Sequence, residues 1–242
     1  MLRILALDAA TEACSVALIE ADAHAHLEAV LGDSVQHARY EEIGKGHADR
    51  ILAMVDAVLA EARLSLCALD AIAASVGPGA FTGVRITVAA AQGLAFGAAL
   101  PVIPVSTLEA LALPAMRGEH GRALCCLDAR MGEVYWGCFE RDPDRGVRAT
   151  TTARVSAPGE VKLAHGFAHR GVGRGFSAYS ALGELPGLAL SAADRLALPN
   201  AQAIARLGFL RLRTGERSDP AELTPLYLRD KVALTEAERG RT

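Results

Sequence analysis

Between Val84 and Gly97 the chain carries only two strongly polar side chains, Arg85 and Gln92. A helix over 82–97 is therefore apolar nearly all round, and such a helix needs cover on more than one side. This calls for a layered fold, with a sheet against one face of the helix and another element against the other. Ala89, Gly93 and Gly97 fall four apart and form a smooth stripe along which a second helix can approach closely. That second helix belongs either to the same chain or to a partner.

The surrounding sequence supplies the layers. Residues 3–8 and 13–20 read as apolar strands joined by Asp8-Ala-Ala-Thr-Glu12, a connection suited to a hairpin. A third strand is expected at about 26–31, with a polar loop over 32–46. Ile51, Met54, Val55, Val58, Leu59 and Ala62 recur at helical spacing. Residues 69–76 read as a buried strand that ends at Gly77-Pro-Gly79, and 101–105 as a short one. Ser106-Thr-Leu-Glu109 carries the hydroxyl and acid of a helix N-terminus. Two further strands, 123–127 and 133–139, flank Asp128-Ala-Arg-Met-Gly132 as a hairpin. Residues 140–196 mix Gly, Pro and Arg with short apolar runs, and helical spacing returns over 200–212.

This order specifies an α/β chain. With 242 residues, 51% of them apolar, it can bury one large core or two smaller ones. Two compact lobes are expected: 1–105, rejoined by the helix near 200–213, and 106–199, followed by a tail over 214–242. A formal net charge of -3 gives no general pull toward phosphate backbones. The five cysteines form no CxxC pair and fall mostly in apolar stretches, as reduced core residues of a cytoplasmic protein do. Asp8 comes too early for a signal-peptide apolar region, so neither secretion nor a membrane is expected.

Two places could hold a ligand. In Gly77-Pro-Gly-Ala-Phe-Thr-Gly-Val-Arg85, the glycines Gly77, Gly79 and Gly83, with Thr82 and Arg85, set backbone amides at a helix start where an anion is favoured. The competing reading is a tight strand-to-helix turn. Neither GxxxxGK[ST] nor a full GxGxxG is met. Asp8 with Thr11 could hold a hydrated metal or a phosphate, or could form an Asx turn that needs no ligand. His165 and His169 have ligand spacing, but Gly166 between them argues against a helix, and no third ligand is evident. No GxSxG occurs, and no catalytic residue is assigned.

Several stretches together resemble one family, in order along nearly the whole chain. They are Asp8-Ala-Ala-Thr-Glu-Ala-Cys-Ser-Val-Ala-Leu18, Gly77-Pro-Gly-Ala-Phe-Thr-Gly-Val-Arg-Ile86, Val105-Ser-Thr-Leu-Glu-Ala-Leu111, Asp128-Ala-Arg-Met-Gly-Glu-Val-Tyr135 and Pro225-Leu-Tyr-Leu-Arg229. They are similar to TsaB (YeaZ). The resemblance implies a two-lobed actin-like ATPase-type fold, each lobe a mixed sheet with helices. It implies a non-catalytic subunit that binds TsaD and supports its transfer of threonylcarbamoyl to an adenosine of transfer RNA. TsaE would join the complex, tRNA would be reached only through it, and a homodimer stays open for the isolated chain. ATP and metal would belong to the partner subunits, with no cofactor in this chain. The histidine pair that holds the metal of TsaD falls at Thr107 and Leu111. Pairing through the first helices of this lobe would place Val55, Leu59, Ala89, Gly93 and Gly97 at the interface. The alternative is a glycoprotease or an ATP-dependent phosphotransferase of the same superfold. Ala9-Ala10 stands where the family commonly has Thr-Ser.

Overall fold

The computed structural model describes residues 1–32, 35–116, 121–163 and 168–229. The chain opens with β1 (Leu2–Asp8) and β2 (Ala13–Ala21), an antiparallel hairpin in which Leu5 faces Leu18 and Asp8 faces Ser15. Next come α1 (Leu27–Leu31), β3 (Val35–Glu42), α2 (His47–Ala62), β4 (Ala71–Ser75), α3 (Phe81–Ala98) and β5 (Val102–Val105). These strands form a five-stranded sheet in the order β3-β2-β1-β4-β5, with β4 and β5 parallel to β1.

The strand expected at 26–31 is the helix α1 instead, and β3 occupies part of the expected polar loop. Leu27, Val30 and Leu31 have the 0, 3, 4 spacing of a helix. β3 is the outermost strand, and its described side chains are half-buried or exposed, so it carries no apolar alternation to read.

Beyond β5, α4 (Thr107–Ala115) begins with a complete capping box: Leu108 donates to the Ser106 hydroxyl, and Ser106 N–H donates to Glu109. The second sheet contains β6 (Arg122–Arg130), β7 (Glu133–Asp142), β8 (Gly146–Ala149), β9 (Arg154–Ser156), β10 (His169–Val172) and β11 (Leu188–Ala189). It has six strands in the order β11-β10-β6-β7-β8, with β9 also paired to β7. The short helices α5 (Gly175–Ala178) and α6 (Ala192–Leu196) precede α7 (Ala201–Arg213).

Strand alternation decides which elements touch. Ile4, Ala6, Ala17 and Ile19 point to the face covered by α4 and α7, where Ala123, Cys125 and Leu127 of the second sheet join the same core. Leu5, Leu7, Val16 and Leu18 point to the opposite face, under α2 and α3. A third cluster covers the far face of the second sheet with Leu124, Cys126, Trp136 and Phe176. The two sheets thus share one continuous core through α4 and α7, and a cleft opens between them elsewhere. Cys14, Cys125, Cys126 and Cys138 are buried thiols, while Cys67 is exposed. Among the described residues no helix is long and apolar enough to cross a membrane.

Candidate functional site

The turn between β1 and β2 is held by its own side chains. Ala10 N–H donates to the Asp8 carboxylate at 3.1 Å, forming an Asx turn, and Ala13 N–H donates to the Thr11 hydroxyl at 3.4 Å. The turn lies directly on the start of α3. Ala80 N–H donates to Ala10 C=O at 2.7 Å, and Ala9 N–H donates to the Thr87 hydroxyl at 2.9 Å. A Cβ at Gly79 would stand 2.2 Å from the Ala10 oxygen, and one at Gly83 would stand 2.0 Å from the Ala9 oxygen. These two glycines are required by the approach of the chain's own backbone, whether or not a ligand is present.

Asp8 is fully buried. The Ser75 hydroxyl donates to one carboxylate oxygen at 2.5 Å, and the other oxygen has no partner among the described residues. Burial pushes this carboxyl above its ordinary pKa, against the hydrogen bonds from Ser75 and Ala10. Gly77, with φ +98°, sits beneath the Leu226 carbonyl.

A cleft of about 640 Å³ separates the sheets. Its walls are the β1–β2 turn at 10–12, the start of α2 at 44–48, the start of α3 at 79–84, the end of β6 at 127–130, Tyr135, Arg174, Leu198 and the carboxyl-terminal segment 226–229. Thr11, Gly79, Thr82 and Gly83, all expected near a phosphate, line it; Asp8, Gly77 and Arg85 do not. Arg85 stacks over the Phe81 ring, 3.3 Å from its centroid, and lies 5.2 Å from that of Tyr227. Nor are most of the cleft's guanidinium groups unpaired. Arg130 meets Glu12 at 3.2 Å and Asp128 at 2.9 Å, and Arg174 meets Glu42 at 2.5 Å. The Arg174 and Tyr40 hydrogen bonds hold Glu42 below its ordinary pKa. Carboxylates across the gap thus already answer much of the positive charge a phosphate would need.

Outside the cleft, α3 keeps one long face uncovered by the described residues. Arg85, Ala89, Gly93 and Gly97 are exposed along it, with Phe96 60% exposed. A Cβ at Gly93 or Gly97 would meet nothing within 4 Å. Among the described residues nothing packs on Gly93 or Gly97, so α2 does not cover the stripe there. Val55 and Leu59, expected at the same interface, are only 2% and 8% exposed and lie within the core. The helical period turns them toward the sheet and leaves Leu52 outward, 49% exposed.

Thr107 and Leu111 are buried at the start of α4, and Leu111 is 1% exposed in the shared core. Leucine offers no donor to a metal. Among the described residues no three His, Cys, Asp or Glu side chains converge as metal ligands. His169 is buried on β10, and His165 lies outside the described residues.

Sequence reading missed Lys45, Gly46 and His47 as cleft residues, although Gly44-Lys-Gly46 before an amphipathic helix is itself a turn signal. It also gave no role to Gln92, which donates to the carbonyls of Pro220 and Leu223 at 2.9 and 3.2 Å.

Two mixed sheets with two helices between them, a cleft at the sheet ends and an uncovered helix face define a two-lobed actin-like α/β protein. The family described as "TsaD: tRNA N6-adenosine threonylcarbamoyltransferase" matches residues 34–237. The chain is 38% identical to "tRNA threonylcarbamoyladenosine biosynthesis protein TsaB" of Escherichia coli, covering 96% of each chain. It is 37% identical to the protein of the same name from Haemophilus influenzae, over 96% of this chain and 95% of that one. The solved structure of "YeaZ from Pseudomonas aeruginosa" superposes with a TM-score of 0.81 at 37% identity, covering 94% of this chain and all of that one. The chain belongs to the TsaB family, within the wider TsaD-related group.

Proposed function

We propose that this protein is a scaffold and activator subunit in the synthesis of threonylcarbamoyladenosine on transfer RNA, with no chemistry of its own. It binds TsaD through the uncovered face of α3, in a complex that TsaE joins. The observation that carries the reading is the apolar stripe of Ala89, Gly93, Gly97 and Phe96, which stays exposed among the described residues. Large exposed apolar patches rimmed by polar residues mark interaction sites. The positions equivalent to a metal-binding histidine pair are occupied by Thr107 and Leu111, which supports placing the metal and ATP in the partner subunits. The net charge of -3 supports contact with tRNA through the complex rather than by this chain alone. A cytoplasmic location fits the buried thiols.

Co-purification with the tagged full chain from native cells tests this reading. Recovery of TsaD and TsaE is the expected result. Recovery of neither, or turnover of ATP or cleavage of a glycoprotein by the purified chain alone, would overturn it.

A further inference from the structure

The segment 217–229 runs from the five-stranded sheet to the six-stranded one, and its two ends are fastened in different ways. At the near end, Ser218 and Val102 exchange both backbone hydrogen bonds, at 2.9 and 3.0 Å. Leu223 is buried in the core beneath α2 and α3, and Gln92 donates to its carbonyl and to that of Pro220. Leu226 N–H then donates to Val76 C=O at 2.7 Å. Tyr227 lies against Phe81, with ring centroids 6.0 Å apart and Arg85 close to both rings.

At residue 229, among the described residues, the attachment to the second sheet is made by the Arg229 side chain. The Arg229 guanidinium pairs with Glu133 and donates to the Arg130 carbonyl at 3.4 Å, both on the β6–β7 hairpin of the second sheet. Between these ends, residues 226–229 form one wall of the cleft. Among the described residues, ion pairs that also cross the gap join Arg130 and Arg174 to Glu12 and Glu42, all partly exposed. Ion pairs of that kind, Arg229 with the partly exposed Glu133 among them, contribute about 0–1 kcal/mol each, so each is easily released.

We propose that segment 217–229 is a clasp, anchored permanently on the five-stranded sheet and releasable at Arg229, that sets how far the cleft opens. The shared core through α4 and α7 is the fixed side of the movement, and Arg229 on Glu133 is the catch.

The test uses the full chain with Cys67→Ser and spin labels at Ala53→Cys on α2 and Ala157→Cys beyond β9, read by pulsed dipolar distance measurement. The other four thiols are buried and label poorly. Arg229→Glu and Glu133→Arg each place like charges at the catch, and each is expected to shift the distance distribution to longer values. The double variant restores the opposite pairing and is expected to return the distribution toward that of the parent. An unchanged distribution in both single variants, or a double variant no closer to the parent than the singles, would overturn the clasp. So would loss of the folded circular-dichroism signal in either single variant, since the contact would then serve folding rather than closure.

Discussion

The carbonyl oxygen of Ala9 lies 2.0 Å from where a Cβ on Gly83 would stand. Ala10 has the same relation to Gly79, at 2.2 Å. The obstacle is backbone in both cases, and that backbone is fixed by Ala80 N–H, Thr87 and the Asp8 turn, so it has little room to give. Gly83→Ala is expected to destabilise the protein by about 1–3 kcal/mol, the usual range for overpacking. The helical preference of alanine, about 0.5–1 kcal/mol, does not offset this. Urea denaturation checks it, and unchanged stability would mean the turn is not seated on α3.

The same substitution ten residues along the same helix has the opposite sign. A Cβ at Gly93 meets nothing within 4 Å, so Gly93→Ala removes unfolded-state freedom without a clash. A gain of about 0.5–1 kcal/mol is expected, which for a chain of this size raises the melting temperature by roughly 2–4 °C per kcal/mol. A lower melting temperature would show that the stripe is packed within the subunit.

Asp8 couples stability to pH. Its carboxyl is raised in the folded state, mainly by burial, so the folded protein holds this proton more tightly than the unfolded chain does. The contribution of Asp8 is therefore fully present below its unfolded value near 3.8 and is lost as pH rises through the higher folded value. Asp8→Asn keeps an acceptor for Ser75 and Ala10 without an ionisable proton. Its stability relative to the parent is expected to improve as pH rises from the unfolded value near 3.8 and to level off above the raised folded value. Denaturation at several pH values measures this, and a difference independent of pH would show that Asp8 titrates normally.

What the sequence made legible follows from how each element is buried. β1, β2, β4 and α3 could be read because both faces of the first sheet are covered, so their apolar runs are unbroken. β3 could not, since an edge strand with half-exposed side chains resembles a loop. The stripe on α3 was visible as spacing, but its exposure was not: an apolar helix surface looks the same whether a neighbour or solvent lies beyond it. That Val55 and Leu59 pack in the core was hidden for the same reason, because periodicity shows that a face is buried but not against what. The glycine-rich stretch at 77–83 could be read as a phosphate site or as a tight strand-to-helix turn, and the Ala9 and Ala10 carbonyls, which make Gly79 and Gly83 necessary for the turn, were not visible in the sequence.

The exposed stripe also yields the sharpest test of partner binding. Gly93→Leu adds a branched side chain at a position open to solvent in the free subunit, so its own stability should change little. Docked helices lie about 8–10 Å apart, the nearest approaches requiring small residues at the contact. If TsaD brings a helix against Ala89, Gly93 and Gly97, the leucine holds the two backbones apart or is forced off its preferred rotamer, at a cost of about 1–3 kcal/mol. Binding of TsaD is therefore expected to weaken by about tenfold or more, equivalent to about 1.4 kcal/mol. Gly93→Ala, a far smaller addition, should bind more nearly as the parent does. Titration calorimetry of each variant against TsaD, beside its melting curve, makes the comparison. Normal binding by Gly93→Leu would move the interface off α3, whereas unfolding of that variant would contradict the open space above Gly93.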